Sequence, residues 1–160
     1  MTGDLCDRGK SLIDLARRTS SASALEAAGL NLICGQSAFN PTPNNTSTCD
    51  RKISQNEVVI KATPHMHLLG RSMKMILNPG TPGEKVLLDR PQYNFDDQSP
   101  TILSKPVALK VGDTVRVQCT FDPTLRAILP QFKKVAPRYV TWGEGSSDEM
   151  CLGVLGVSHN

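Results

Sequence analysis

Histidine, aromatic residues and net charge are all scarce in this chain. Its 160 residues include three His, one Trp, two Tyr and four Phe. The formal charge is +3, from 18 basic and 15 acidic residues. The basic side chains are scattered, in pairs such as Arg17-Arg18 and Lys133-Lys134, so a nucleic-acid partner is not expected. No apolar run approaches the roughly 20 residues of a membrane span. No C-x-x-C occurs, which removes the usual zinc-ribbon and thioredoxin spacings. The start, Met1-Thr2-Gly3-Asp4, has no basic stretch followed by an apolar one, so no signal peptide is visible.

What remains is an ordinary globular composition, 39% hydrophobic and 21% charged. The length suits one domain, or one domain with an appendage, and allows a real core. Five widely spaced cysteines (Cys6, Cys34, Cys49, Cys119 and Cys151) point to an oxidising compartment, with one thiol left over. A secreted or periplasmic location is therefore expected. With no leader in view, the chain reads as a fragment or truncated product of a larger protein. A Cys34–Cys49 bridge is one pairing among several that spacing permits.

The residue pattern changes near position 55. Residues 1–55 read as a helical and loop extension or linker, and 56–160 as a β domain. Leu12, Ile13, Leu15 and Ala16 recur at helical spacing within Asp7–Arg18, and Ser21–Ala28 is a second short helix stopped by Gly29. Residues 35–55, rich in Asn, Pro, Ser and Thr, read as loop. From Glu57 the period becomes two. Strands are expected at Val58–Thr63 (ended by Pro64), Ser72–Leu77, Lys85–Asp89, Pro106–Lys110, Thr114–Phe121, Arg138–Trp142 and Met150–Val157, with no helix between them. The expected fold is mainly β, an antiparallel jelly-roll β-sandwich with a short helical N-terminal segment.

The chemistry-bearing residues are few. His65 and His67 are two apart, so an extended backbone aims both imidazoles at one side and Met66 at the other. Two imidazoles suit zinc, copper, iron or nickel; the bland alternative is a pair of surface histidines. The remaining histidine, His159, is near the C-terminus, so a third ligand would be a carboxylate, thiolate or thioether. A second candidate is the Gly/Ser/acidic loop from Gly143 to Glu149 that leads into Met150-Cys151. On its own it also reads as a solvated turn before a core methionine.

Taken together, His65-Met66-His67-Leu68-Leu69-Gly70-Arg71, Cys119 and Ser146-Ser147-Asp148-Glu149-Met150-Cys151 resemble the C-terminal domain of the copper type II, ascorbate-dependent monooxygenases. That family includes the peptidylglycine α-hydroxylating and dopamine β-monooxygenases, and the resemblance spans roughly residues 55–158. The flanking Thr63-Pro64, Asn78-Pro79-Gly80-Thr81 and Trp142-Gly143-Glu144-Gly145 look more like bacterial members.

The resemblance implies roles. His65, His67 and Met150 would bind one oxygen-activating copper, the soft thioether favouring Cu(I). Cys119 and Cys151 would form a disulfide that pins Met150, contributing about 3–4 kcal/mol. Ascorbate would supply electrons through a second copper on a preceding N-terminal domain, which these three histidines cannot replace. The implied function is one half of a monooxygenase that hydroxylates a C–H bond of a small molecule with dioxygen, inactive without its partner domain. Peptidylglycine enzymes carry an Arg where this chain has Thr63, and an Asn and a Tyr where it has Leu152 and Val154, so a peptide substrate is not expected. Two other readings stay open: a copper-binding or storage module using Met66, Met73 and Met75 as further soft ligands, and an inactive β-sandwich interaction domain.

Overall fold

The computed structural model describes residues 8–34, 46–136 and 142–158. Cys6, His159 and most of the strand expected at Arg138–Trp142 lie outside the described residues.

Two helices come first, α1 (Arg8–Arg18) and α2 (Ser21–Ile33). The second runs through Gly29 rather than stopping there. A helical glycine costs only about 1 kcal/mol against alanine, and Ala27, Ala28, Leu30 and Leu32 beside it are good helix formers. Leu15 of α1 is fully buried, packed on Ala28 and on Trp142 from the far end of the chain.

Seven strands follow among the described residues: β1 (Thr46–Lys52), β2 (Glu57–Met66), β3 (Gly70–Leu77), β4 (Lys85–Arg90), β5 (Thr101–Leu109), β6 (Thr114–Phe121) and β7 (Cys151–Ser158). They form two antiparallel sheets, ordered β1-β6-β3-β4 and β5-β2-β7. One core joins them. Val59, Ala62 and Met66 of β2 meet Met73, Met75 and Leu77 of β3, Leu88 of β4, and Val115, Cys119 and Phe121 of β6. The mainly β, sandwich-like architecture agrees with the period-two reading. A jelly roll has eight strands, and the described residues supply seven.

Three differences from the sequence reading have physical causes. Residues 46–52, expected in a loop, form β1, paired with β6 from Thr46↔Thr120 to Lys52↔Thr114. This is an edge strand of polar residues, with no apolar alternation to announce it. It is held by the ladder and by Arg116, which donates to both Asp50 oxygens at 2.7 Å. Secondly, β2 continues through Pro64 to Met66. Its pairing with β5 extends only to Ala62↔Thr101, whereas β7 pairs as far as Met66↔Cys151. Beyond Ala62 the strand thus has an open edge, where a missing N–H is tolerated. Finally, a short helix α3 (Leu125–Ile128) and a 3-10 turn (Pro130–Phe132) do intervene between β6 and β7, and Phe132 fills the core.

Candidate metal centre

The pattern H-x-H sits where β2 ends. Met66 is 0% exposed and belongs to the core. The flanking His65 and His67 have their ring centroids 5.2 Å apart, edge to face. His65 is half-buried; His67 is only 6% exposed. Met73 and Met75 are also buried in the core, so the sandwich absorbs Met66, Met73 and Met75 as packing.

The backbone between the histidines is pinned from one side by Tyr93. Its hydroxyl accepts the Met66 N–H at 2.9 Å and donates to the Met66 carbonyl at 2.7 Å. Burial raises the Tyr93 pKa, so the phenol keeps the proton it donates. After His67 the chain reverses at once, with the Gly70 N–H donating to the His67 carbonyl at 3.0 Å. A Cβ on Gly70 would stand 2.8 Å from Met66 Cβ and 2.9 Å from Tyr93 Cδ1, which is why a glycine occupies this place.

Met150 lies immediately before β7. The ladder pairs His65 with Leu152 and Met66 with Cys151. His67 follows Met66 and Met150 precedes Cys151, so both lie just past the end of this ladder, and Met150 is half-buried. The next residue, Cys151, is bonded to Cys119 of β6, tying the two sheets together beside the site. A second disulfide joins Cys34, just after α2, to Cys49 of β1.

Glu149 binds these segments to each other. It is 1% exposed, and its Oε1 accepts the Leu69 N–H at 2.6 Å. The backbone amides of Met150 and His67 also act on this carboxylate, as does the charge of Arg126, whose guanidinium lies 4.7 Å from the Phe132 ring. Burial outweighs them and pushes the pKa up to about 8. The loop before it is held by Arg18, which donates to Asp148 Oδ1 at 2.8 Å. Gly143 and Gly145 both lie so close to Asp148 that a Cβ on either would press on its carboxylate.

The surroundings of His67 favour its neutral ring. Burial, then the neighbouring His65, lowers the His67 pKa, while the backbone of Asp148 and Gly145 acts the other way. The ring is held neutral, the form a metal requires. Its Nδ1 is buried and has no hydrogen-bond partner, a costly arrangement that a bound cation would relieve. Among the described residues no three His, Cys, Asp or Glu side chains converge. The residues present fit a soft metal ion better than a hard one.

The supports of this centre were not legible in advance. Tyr93 lies between expected strands, in a segment without periodicity. Glu149 lies in the motif before Met150, but nothing local in the sequence shows that its carboxylate reaches Leu69. A comparison with known families now adds to the geometry: the model of the copper type II ascorbate-dependent monooxygenase, C-terminal domain, matches residues 27–155.

Proposed function

Because the chain belongs to the copper type II ascorbate-dependent monooxygenase family, as its C-terminal domain, we propose that it holds the oxygen-activating copper of such an enzyme through His65, His67 and Met150. The observation that carries this reading is the role of Glu149. Its buried carboxylate accepts the Leu69 N–H, two residues past His67, and Glu149 is itself the residue before Met150, so one side chain links the two ligand-bearing segments.

Copper held there would supply dioxygen activation for C–H hydroxylation, with ascorbate as the reductant of the complete enzyme. The chain's own contribution is placement. Burial keeps His67 neutral, Tyr93 fixes the backbone between the two imidazoles, and the Cys119–Cys151 disulfide anchors the residue next to Met150. The Met150 thioether would be a weak, soft donor suited to Cu(I). A companion N-terminal copper domain is proposed as the partner that passes electrons to this site. No helix of the described residues is long and apolar enough to cross a membrane, and two disulfides support a secreted or periplasmic location. Residues 56–160 are read as the copper domain, with the preceding segment as an extension that lends β1 to its sheet.

The face around His65 bears on the substrate. Thr63 pairs with Val154, and His65 with Leu152, so these four side chains share one face of the sheet. Leu152 and Val154 are exposed there. This face is apolar at Leu152 and Val154 and carries a cation, Lys61, on the far side of Thr63.

The test is a Cu(I) titration of the full chain followed by X-ray absorption. One tight copper with a sulfur neighbour is expected, the sulfur signal surviving Met66→Leu and vanishing in Met150→His. Two tight coppers per chain, or loss of the sulfur signal with Met66, would sink the ligand assignment. No copper at all would favour an inactive interaction domain. Copper without ascorbate-driven oxygen consumption, once the partner domain is supplied, would favour a storage role.

A further inference from the structure

His65 carries a contact that neither the motif nor the proposed ligand set accounts for. Gln98, on the segment between β4 and β5, places its Oε1 2.5 Å from His65 Nδ1. Which way a glutamine amide faces is decided by its other partner. Here the amide nitrogen donates to the Phe95 carbonyl at 2.9 Å, so the oxygen is the atom turned toward the imidazole. An amide oxygen can only accept. The shared proton must therefore sit on His65 Nδ1, which leaves the Nε2 lone pair free.

Resting on the copper reading above, we propose that Gln98 is a positioning residue for the metal. It holds His65 in the Nδ1–H tautomer and thereby selects Nε2 as the nitrogen offered to copper. The ring is oriented by the same bond. A histidine without such a partner rotates about its side-chain torsions and exchanges tautomers, and loses part of its binding free energy in being ordered. The chain invests a fixed loop in this contact. Asp97 and Asn94 pair across the turn, and the Asp96 N–H and Ser99 N–H are capped by the Asn94 and Asp97 side chains. Gln98 is thus delivered from a local turn 33 residues from His65 in sequence.

The decisive measurement needs no metal. Long-range proton–nitrogen NMR on the full, metal-free chain, at a pH that keeps the ring neutral, should show His65 protonated at Nδ1 and bare at Nε2. Gln98→Leu should lose that preference and weaken Cu(I) binding, measured against a competing chelator, about 10- to 100-fold. Gln98→Glu, which keeps an acceptor oxygen, should retain both the tautomer and the affinity. A purely structural role would not move the tautomer. Should Gln98→Leu fail to fold, the wild-type tautomer and Gln98→Glu still decide the matter. A wild type that binds Cu(I) with the His65 proton on Nε2 overturns this assignment alone. So does a folded Gln98→Leu with unchanged tautomer and affinity. A wild type with the expected tautomer that binds no Cu(I) overturns the proposed function instead.

Discussion

The hydroxyl of Tyr93 spans both backbone polar groups of Met66, accepting from its N–H and donating to its carbonyl. One phenol thus takes the place of a neighbouring strand on the side of β2 that β5 no longer reaches, at the residue between the two histidines. The contact links stability to the site. Tyr93→Phe would keep the ring and strip the bridge, leaving two buried backbone groups without this partner. A loss of about 1–3 kcal/mol is expected, read by urea denaturation. Cu(I) affinity should fall with it, because His65 and His67 lose their fixed spacing. Stability within error of the wild type would show the bridge to be idle.

Glu149 should behave as an acceptor more than as a charge. With its pKa raised to about 8, the carboxyl is mostly protonated at neutral pH. Glu149→Gln preserves an oxygen for the Leu69 N–H and should stay within about 1 kcal/mol of the wild type. Glu149→Ala removes the tie between the two ligand segments. It should cost about 1–3 kcal/mol and weaken copper binding in the same chelator competition. Equal behaviour of the two variants would contradict the role assigned to this residue.

Gly70→Ala tests the turn after His67. The new methyl would meet Met66 Cβ at 2.8 Å, Tyr93 Cδ1 at 2.9 Å and the His67 carbonyl at 3.1 Å. None of these is the free end of a flexible side chain. Overpacking of this kind costs about 1–3 kcal/mol, and thermal denaturation should show it. Ala in place of Gly83, whose nearest neighbours lie at 3.6 Å and beyond, should be far milder.

The first helix should steady the loop that precedes Met150. Arg18 joins Asp14 on its own helix to the buried Asp148 of that loop. Arg18→Ala is expected to cost about 1 kcal/mol, since the guanidinium is itself partly solvated. Hydrogen exchange of residues 143–148 should accelerate more than that of β3. A double-mutant cycle with Asp148→Asn isolates the pair, and a coupling energy near zero would remove α1 from the account.

β1 offers a pH test of its own. Arg116 holds the Asp50 carboxyl below its ordinary value through the two hydrogen bonds across the β1–β6 ladder. The folded state therefore prefers the carboxylate. The stabilisation is present above the usual aspartate pKa and disappears as pH falls through the lowered folded value. Both groups are exposed to solvent, so Asp50→Asn should cost less than about 1 kcal/mol near neutrality. It should cost nothing in strong acid. A penalty that grows on acidification would have the wrong sign for this pair.

The sequence by itself determined the parts whose signal is local. Alternating apolar residues announce β2, β3, β4, β6 and β7, because one face of each must be buried and the pleat has a period of two, but only the end of β5, which starts at Thr101 and not at the expected Pro106. The same period set His65 and His67 on the opposite side from Met66, and Met66 does lie in the core. Where the signal is not local, the tertiary structure decided. β1 has no buried face to betray it and exists because β6 offers a ladder and Arg116 a partner for Asp50. Pro64 would end the strand only if a neighbour paired on the edge its nitrogen faces, and whether that edge is open depends on where β5 stops. Gln98 and Tyr93 are 33 and 27 residues from the backbone or ring they orient. Hydrogen bonds of such reach leave no periodicity in a chain, since they are fixed only when the loop that carries them has folded against the sheet.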